Sequence, residues 1–439
     1  MFETLKNAFK IKEIREKILW TLFFLLLYRI GCNIPVPGVG TGLFSGGMEN
    51  STYLNIMSMM SGGSLSRGTW FAMGIGPYIN ASIIIQLLTV AIPALERLSK
   101  LGEEGQKKIS AYTRIGALIL AIVQSIGIIV SNGSLLTADD NASGAAFLNA
   151  LAGQQWLGYI LLVVIYSSGT LATVFIGERI TEKGVSNGIS LLIFIGILAT
   201  AGISFIEMIG TSFFGGGDLN AFWKLIAYIV AIVLVFGLIV FVELSERKIP
   251  VQYAKMIKGR KQYGGQSTVI PIKVNSNGVM PLIFAFSLLS FPELIITMFW
   301  SQTEFAGWWQ TYMGSDSILY MIFLVVLIFA FAFFYSSIQF NPDDISKTIQ
   351  QNGGFIPGYR PGKPTAIYLK QIQTRITLFG ALFLAFVALV PAVLFKIIDP
   401  GTPAVFSATG MLIAVSVALE FNNALESQIM MKNYKGFLK

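Results

Sequence analysis

The chain has 439 residues, of which 54% are hydrophobic and only 12% are charged. That composition lies outside the range of soluble globular proteins and indicates that lipid surrounds most of the chain. A single cysteine and the lack of histidine exclude a disulfide framework and a cysteine-based metal cluster, and they disfavour histidine-dependent acid–base chemistry. The net charge of +8 is compatible with nucleic acid, anionic lipid or an acidic partner, so the positions of the charges matter more than their sum.

Apolar runs of roughly 20 residues recur along the sequence, and this is the length that an α-helix needs to cross a bilayer core of about 30 Å. Ten such runs predict transmembrane helices at Ile18–Val36, Trp70–Ile92, Tyr112–Val130, Trp156–Ile176, Ile189–Met208, Phe222–Val242, Val279–Phe299, Ile318–Phe340, Ile376–Ile398 and Val405–Leu425. The first run is too long for the hydrophobic region of a signal peptide, and no cleavage motif follows it, so it is expected to remain as an anchor. We therefore predict an all-α polytopic membrane protein.

Lysine and arginine mark the cytoplasmic side of a membrane protein. If Arg114 at the start of the third span is counted with the connection before it, all but four of the 31 basic residues fall in the amino terminus, the carboxyl tail and the connections between even-numbered spans and the spans that follow. The four exceptions are Arg29, Arg67, Lys224 and Lys396. Ten spans place both termini on one side, and the charge distribution predicts that this side is the cytoplasm.

The spans divide the chain into an expected order of segments. Residues 1–17 alternate lysines with apolar residues, which predicts a cytoplasmic amphipathic helix. Residues 18–211 are the predicted N-terminal half, residues 212–429 the C-terminal half, and residues 430–439 a cytoplasmic tail. Within the first half, residues 53–67 are rich in Gly, Ser and Met and too short to cross the bilayer. They predict a half-inserted segment that is buried inside protein.

A short pattern recurs at the second and seventh spans, in Gly74–Ile79 and Gly278–Ile283. Such a recurrence, five spans apart, is typical of an inverted repeat. Within the spans, Arg29 is expected to extend to the lipid headgroups, and Glu293 is either a functional carboxylate or a structural group at the outer interface. A carrier of small solutes would need several midplane carboxylates, and an intramembrane hydrolase would need catalytic motifs that the sequence lacks. The sequence therefore gives only weak support to either function.

Two basic cytoplasmic loops, residues 243–277 and 341–375, are longer than connectivity requires. The first contains Lys258, Arg260 and Lys261 beside glycines, which predicts an exposed hairpin or finger. In the second, Pro and Gly residues predict a turn that presents Arg360. Such loops favour docking of a partner rich in phosphate or carboxylate, including ribosomal RNA. For most of these basic residues the alternative is ordinary cytoplasmic charge.

Six motifs occur in order along the sequence: Tyr28–Gly31 with Ile34–Gly38, Ser61–Arg67, Phe71–Leu88, Gly177–Gly184 with Asn187–Ser190, Gln266–Thr268 with Pro271–Asn275, and Phe355–Gly362. Together they resemble the bacterial SecY family of protein-translocation channels over essentially the whole chain. The resemblance implies ten helices in two pseudo-symmetric five-helix halves, which close like a clamshell around a central pore.

The resemblance also implies roles for particular residues. A ring of isoleucines would seal the pore, at Ile75, Ile79, Ile189, Ile193, Ile283 and Ile413. Two pairs of this ring have the i, i+4 spacing of one helix face, and an apolar constriction can exclude water and ions. A plug would include Asn55, Ile56, Met57, Met60, Ser61, Gly62, Gly63 and Arg67. A lateral gate would use Asn80, Gln124 and Ser287, and the loops would bind partners through Arg247, Lys248, Lys258, Arg260, Lys261 and Arg360.

The partners implied by the resemblance are the small subunits SecE and SecG, the motor ATPase SecA, the ribosome, signal sequences with unfolded polypeptides, and the lipid bilayer. It further implies the bacterial cytoplasmic membrane, no cofactor or metal, and no catalytic activity. Two departures from the family occur in the first basic loop. Arg260 and Lys261 replace the usual arginine pair, which removes one planar guanidinium, and Val269–Ile272 replaces a frequent His-Leu-Pro-Leu.

Overall fold

The computed structural model describes residues 6, 8–36, 39, 57–131, 155–214, 219–253, 255–258, 261–264, 267–275, 278–300, 303–314, 317–398 and 408–436. Its helices are α1 (Lys12–Gly31), α2 (Gly76–Ala91), α3 (Pro93–Lys100), α4 (Glu103–Ser131), α5 (Gln155–Lys183), α6 (Gly188–Phe214), α7 (Leu219–Glu243), α8 (Met280–Phe299), α9 (Glu304–Met313), α10 (Ile318–Gln339), α11 (Pro342–Gln351), α12 (Lys363–Ile398) and α13 (Ala408–Gly436). Its strands are β1 (Glu246–Tyr253), β2 (Lys255–Lys258), β3 (Lys261–Gly264), β4 (Ser267–Lys273) and β5 (Gly354–Phe355).

Each of the ten predicted spans falls on one helix, namely α1, α2, α4, α5, α6, α7, α8, α10, α12 and α13. In the described part of the chain, six helices are long and apolar enough to cross a membrane, or seven if the bent pair α2 and α3 counts as one span. The prediction of a helical, multi-pass membrane protein is confirmed. Strands were not predicted individually, and the small sheets add to an otherwise helical protein.

Several helices are longer than the spans predicted from hydropathy. The helix α12 has 36 residues and is therefore about 54 Å long, whereas a bilayer core is about 30 Å thick. It begins at Lys363, well before the predicted span. At the amino terminus, α1 begins at Lys12, so the predicted boundary at residue 17 is not a break in the helix. Hydropathy detects only the lipid-embedded part of a helix, which explains these differences.

The second span starts later than predicted and ends at a sharp bend. Residues 70–75 form turns, and α2 begins at Gly76. The axes of α2 and α3 differ by 102°. The bend falls at Ile92, whose backbone is extended (φ −106°, ψ 113°), because the following residue is Pro93. Proline disfavours a helical conformation in the residue before it and cannot donate the backbone hydrogen bond.

The chain divides into two compact units. The first unit comprises Met1–Gly215, Ser287–Ser317 and Val417–Lys439, and the second comprises Gly216–Phe286 and Ile318–Ser416. Leu425 of α13 is buried in one cluster with Ile14 and Ile18 of α1, which attaches the end of α13 to the first unit.

Close helix contacts in the first unit depend on glycine. A Cβ atom added to Gly169 of α5 would lie 2.1 Å from the carbonyl oxygen of Trp70, and one added to Gly188 of α6 would lie 1.9 Å from that of Gly177. Small residues let helices approach closely in membrane proteins, where packing replaces much of the hydrophobic driving force. The start of α6 is further fixed by Asn187, whose side chain accepts a hydrogen bond from the backbone N–H of Ile189 at 3.1 Å.

The second unit contains a three-stranded antiparallel sheet in the order β4-β1-β5. Along β1, Ile249 and Val251 are buried and their neighbours are exposed or half-buried, as the two-residue period of a strand requires. These side chains pack with Ile272, Ile349, Ile356 and Leu369 in one buried cluster. The strands β2 and β3 form a separate hairpin in which Lys258 pairs with Lys261. The predicted hairpin in the first basic loop is therefore present.

Candidate functional site

The predicted plug segment is described from residue 57, whereas Asn55 and Ile56 lie outside the described residues. Residues 57–60 form a helical turn, and irregular turns follow to residue 68. The chain reverses at Gly62 (φ 70°) and Gly63 (φ 77°), a backbone conformation that glycine adopts without strain. Serine hydroxyls satisfy the carbonyls that these turns leave free. Ser61 Oγ donates to Ser58 O at 3.1 Å and Ser64 Oγ to Ser61 O at 2.7 Å.

The segment is largely buried within the first unit. The side chains of Met57 and Leu65 are only 5% and 1% exposed, and both belong to an apolar cluster with Tyr166 of α5. Ser61, Gly62 and Gly63 are also buried, whereas Met60 and Arg67 are half-buried. The prediction of irregular backbone enclosed by protein is therefore correct for the described part of the segment.

Polar contacts attach the segment to α1 and to the chain just beyond it. Arg29 Nη1 donates to Gly62 O at 3.4 Å, and Cys32 Sγ donates to Ser61 O at 3.7 Å. The guanidinium of Arg67 donates to Asn33 Oδ1 at 2.8 Å. Sequence reasoning had directed Arg29 towards lipid headgroups. The structure instead directs it to a backbone carbonyl, because the segment lies beside the end of α1.

The other side of the segment lies on α6. Thr200 Oγ1 donates to Met59 O at 3.3 Å. One turn earlier on the same helix, a Cβ atom added to Gly196 would lie 2.3 Å from Met60 O. The segment can therefore rest on α6 only because position 196 has no side chain. Sequence reasoning missed Gly196, since one glycine in an apolar helix does not indicate what approaches it.

Four predicted ring residues lie in the first unit, near this segment. Ile75 immediately precedes α2 and Ile79 lies one turn into it, while Ile189 and Ile193 occupy the first turns of α6. Ile75 and Ile193 are 4% and 5% exposed, and the other two are half-buried. The segment contacts the first residue of α2, since a Cβ atom added to Gly76 would lie 2.6 Å from Met57 Cε.

The other two predicted ring residues belong to the second unit. Ile283 is half-buried on α8, and Ile413 on α13 is 4% exposed. Each lies in the first turns of its helix, as Ile79 and Ile193 do in the first unit. Ile283 and Ile79 also occupy equivalent positions of the recurring sequence pattern. The closed six-residue ring stays a prediction.

The three predicted gate residues lie on three different helices. Asn80 of α2 and Ser287 of α8 are half-buried. Gln124 of α4 is 1% exposed, and neither its Oε1 nor its Nε2 has a hydrogen-bond partner. Burying an amide without partners costs free energy. Gln124 is thus a buried polar group whose placement carries a substantial cost.

The two basic loops meet in one sheet, which sequence reasoning did not foresee. Gln252 of β1 pairs with Phe355 of β5, so the strand from the second loop extends the sheet of the first. Arg247 and Lys248 are exposed on β1. Lys258 and Lys261 occupy the last positions of β2 and the first of β3, and Arg260 lies outside the described residues.

Arg360 is exposed in the turn that follows β5. This turn is held from several directions. Ring stacking joins Tyr359 to Tyr368 of α12 with centroids 4.0 Å apart, Thr365 Oγ1 donates to Arg360 O at 2.8 Å, and Ser346 Oγ of α11 donates to Gly362 O at 2.7 Å. A guanidinium on such a fixed turn is pre-organised for a planar anionic partner.

Comparisons with known proteins agree with the sequence motifs. The family model described as SecY matches residues 69–422. The protein translocase subunit SecY of Streptomyces scabiei is 40% identical, with 100% of both chains covered. The protein translocase subunit SecY of Corynebacterium glutamicum is also 40% identical, with 99% of both chains covered.

Solved structures share the fold at lower identity. A structure of a protein-conducting channel matches with a TM-score of 0.66 and 20% identity, covering 94% of this chain and 92% of that one. Sec61 in the canine ribosome–channel complex from the endoplasmic reticulum matches with a TM-score of 0.61 and 18% identity over the same shares. These likenesses support the fold, and the family model together with the full-length relatives shows that the chain belongs to the SecY family.

Proposed function

We propose that this chain is the channel-forming subunit of a Sec translocon. It conducts unfolded secretory polypeptides across the cytoplasmic membrane and releases membrane-protein segments sideways into lipid. The observation that carries this proposal is the position of the segment at residues 57–67, which is buried between α1 and α6 beside Ile75. A channel that must open for a polypeptide needs such a removable closure, whereas a carrier of small solutes does not.

The contacts of the segment suit a closure that has to move. Its links to α1 and α6 are hydrogen bonds from neutral or partly exposed groups, each worth about 1 kcal/mol or less. The bond from Arg29 is long at 3.4 Å, and the serine–carbonyl bonds lie within the segment itself. The segment can therefore leave as a unit without breaking its internal hydrogen bonds, and binding of a substrate has to offset the apolar burial of Met57 and Leu65 that is lost.

The isoleucines supply the second barrier in this proposal. The six isoleucines of the predicted ring seal the waist of the pore in this proposal, as the family resemblance implies. Aliphatic side chains hold no water by hydrogen bonding, so a narrow ring of them resists ions. The same side chains yield to a passing chain because they form no specific bonds with it.

The gate residues tune sideways opening. Gln124 contributes to this proposal because its unsatisfied amide weakens the closed packing of α4. Asn80 and Ser287 are half-buried and available to exchange hydrogen bonds when the helices separate. A signal sequence that enters between the helices would replace contacts that the unsatisfied amide has already weakened, so the helices separate at a lower cost in free energy.

The sheet with its two basic loops is the proposed docking site for SecA and for the ribosome. The pairing of β1 with β5 supports this assignment, because it joins the strand that carries Arg247 and Lys248 to the strand that precedes Arg360. Solved relatives include Sec61 in a ribosome–channel complex. The chain itself supplies no catalysis in this proposal, and energy comes from the partner or from the proton-motive force.

The remaining assignments follow from this role. The chain resides in the bacterial cytoplasmic membrane with both termini in the cytoplasm, associates with SecE and SecG, and uses no cofactor. In the described residues, no group of three or more Cys, Asp or Glu residues could hold a metal ion. The predicted halves at residues 18–211 and 212–429 remain the proposed units of the clamshell.

Controlled depletion of the chain in its host tests the proposal. Pulse-labelled secretory proteins are expected to accumulate as unprocessed precursors, and a plasmid copy of the chain is expected to restore processing. The Arg360→Glu and Lys363→Glu variants provide a matched pair for the docking site, since both residues are exposed and only Arg360 is assigned to it. Normal processing combined with failed uptake of a small solute would overturn the channel function.

A further inference from the structure

The helix α9, between the spans α8 and α10, presents different chemistry on three sides. Successive residues of a helix are about 100° apart, so the angle of each residue around the axis assigns it to a side. Ala306 is buried, and Trp309 and Met313 are half-buried on the side that packs against protein. Glu304 and Thr311 share another side, which is exposed and polar.

The third side consists of exposed aromatic residues. Phe305, Trp308 and Tyr312 are 49%, 51% and 52% exposed. Their rings form one row, since the centroids of Phe305 and Trp308 are 6.0 Å apart and those of Trp308 and Tyr312 are 5.4 Å apart. A contiguous aromatic surface of this kind is unfavourable in water and indicates an interaction site.

The position of α9 in the chain points to the occupant. It begins five residues after α8 ends and finishes five residues before α10 begins, so it lies close to the membrane surface at the end of both spans. The charge distribution along the sequence predicts that this end lies outside the cytoplasm, because one span separates it from the basic loop at residues 243–277. Trp and Tyr are the residues that membrane–water interfaces favour, since their rings are apolar and their N–H and O–H groups remain hydrated.

The charge pattern agrees with burial in lipid. No lysine or arginine occurs from residue 274 to residue 346, so attraction to anionic headgroups or to an acidic protein is not the source of binding. The exposed row of aromatic rings on α9 is therefore the surface that can bind. A helix with a protein side, an aqueous side and an aromatic side has the arrangement required at the line where protein, water and lipid meet.

From these observations we infer that α9 is an interfacial anchor, with the rings of Phe305, Trp308 and Tyr312 inserted into the non-cytoplasmic leaflet. The occupant of the aromatic surface is lipid. The anchor fixes the depth of the connection between α8 and α10, so that these two spans cannot slide along the membrane normal independently. This inference rests on membrane insertion of the chain and is independent of what passes through it.

Site-directed spin labelling of the full-length chain in bilayers tests the anchor. Phe305→Cys and Tyr312→Cys place a nitroxide on the aromatic side, and Thr311→Cys places one on the polar side of the same helix as a matched control. Cys32 is 1% exposed, and the parent chain measures its background labelling. Oxygen concentrates in lipid, whereas a neutral nickel complex stays in water, so their relaxation effects distinguish the two environments.

Labels at positions 305 and 312 are expected to show an oxygen-to-nickel accessibility ratio several-fold above that at position 311. Nickel accessibility equal to that of position 311 would mean that the aromatic side faces water and would overturn the anchor. Shielding from both reagents would mean that protein covers it and would overturn the anchor equally. Because two aromatic positions are tested separately, misfolding of one variant leaves the other to decide.

Discussion

The Glu243 carboxylate, at the end of α7, accepts a hydrogen bond from the Ser416 hydroxyl of α13 at 2.8 Å. The same oxygen accepts a second hydrogen bond, at 2.7 Å, from Asn275 Nδ2, and Asn275 lies two residues after β4. One carboxylate thus ties the base of the sheet to the helix that carries Ile413. Ser416 and Ile413 are three residues apart, on neighbouring positions of one helix face.

Replacing Glu243 with alanine is expected to destabilise the protein. The change removes a charged acceptor and leaves the amide of Asn275, which is 4% exposed, without this partner. Hydrogen bonds to charged groups contribute about 1.5–3 kcal/mol, so we expect a loss of about 2 kcal/mol in the free energy of unfolding. Thermal unfolding in detergent measures it.

The control for this prediction is Glu246→Ala, a few residues along the chain. Glu246 pairs with Lys248 at 3.1 Å, and both side chains are exposed, so its removal is expected to cost less than about 1 kcal/mol. Equal destabilisation by the two variants would show that the Glu243 link contributes no more than an ordinary surface charge.

Replacing Gly196 with alanine is expected to displace the segment at residues 57–67. The added Cβ would lie 2.3 Å from Met60 O, a backbone atom, so the segment has to move. Movement breaks the contact between Cys32 Sγ and Ser61 O and exposes the single cysteine of the chain. We therefore expect faster maleimide labelling of Cys32 in bilayers, and a higher ion leak through the resting protein.

Gly202→Ala is the matched control, since it lies on the same helix and its added Cβ would meet nothing within 4 Å. Its labelling rate is expected to equal that of the parent chain. If Gly196→Ala also labels at the parental rate, the segment accommodates the methyl group in place and the proposed displacement is wrong.

The sequence predicted some of these features and not others, for physical reasons. Hydropathy located the ten spans because the cost of placing polar residues in lipid acts on each segment separately. The Ser- and Gly-rich composition near Ser61 and Gly62 identified a buried irregular segment, because composition is also a property of one segment alone. By contrast, the pairing of Gln252 with Phe355 joins residues about one hundred positions apart, and no local pattern specifies which strands pair. The importance of Gly196 depends on what lies beside it.

Replacing Gln124 with leucine is expected to stabilise the first unit. Leucine has nearly the same size as glutamine and no polar atoms, so the change removes two unsatisfied buried groups and keeps the packing. The gain is about 1–3 kcal/mol, and a higher unfolding temperature measures it. Gln86→Leu on α2 is the control, because Gln86 Nε2 donates to Ser82 Oγ at 3.4 Å and the variant loses that bond. A fall in unfolding temperature for Gln124→Leu would contradict the prediction.

Replacing Arg360 with lysine tests whether geometry or charge carries the docking function. Lysine keeps the positive charge on the same fixed turn but loses the planar fork that binds carboxylate or phosphate in two places. If the fork is used, Arg360→Lys weakens binding of SecA or of ribosomes about tenfold, which corresponds to about 1.4 kcal/mol, and flotation of the protein in vesicles with either partner measures the change. Lys363→Arg, on an exposed position of α12 three residues away, controls for a nonspecific preference for guanidinium. Unchanged binding by Arg360→Lys, together with loss of binding by Arg360→Ala, would show that a point charge on the turn is sufficient.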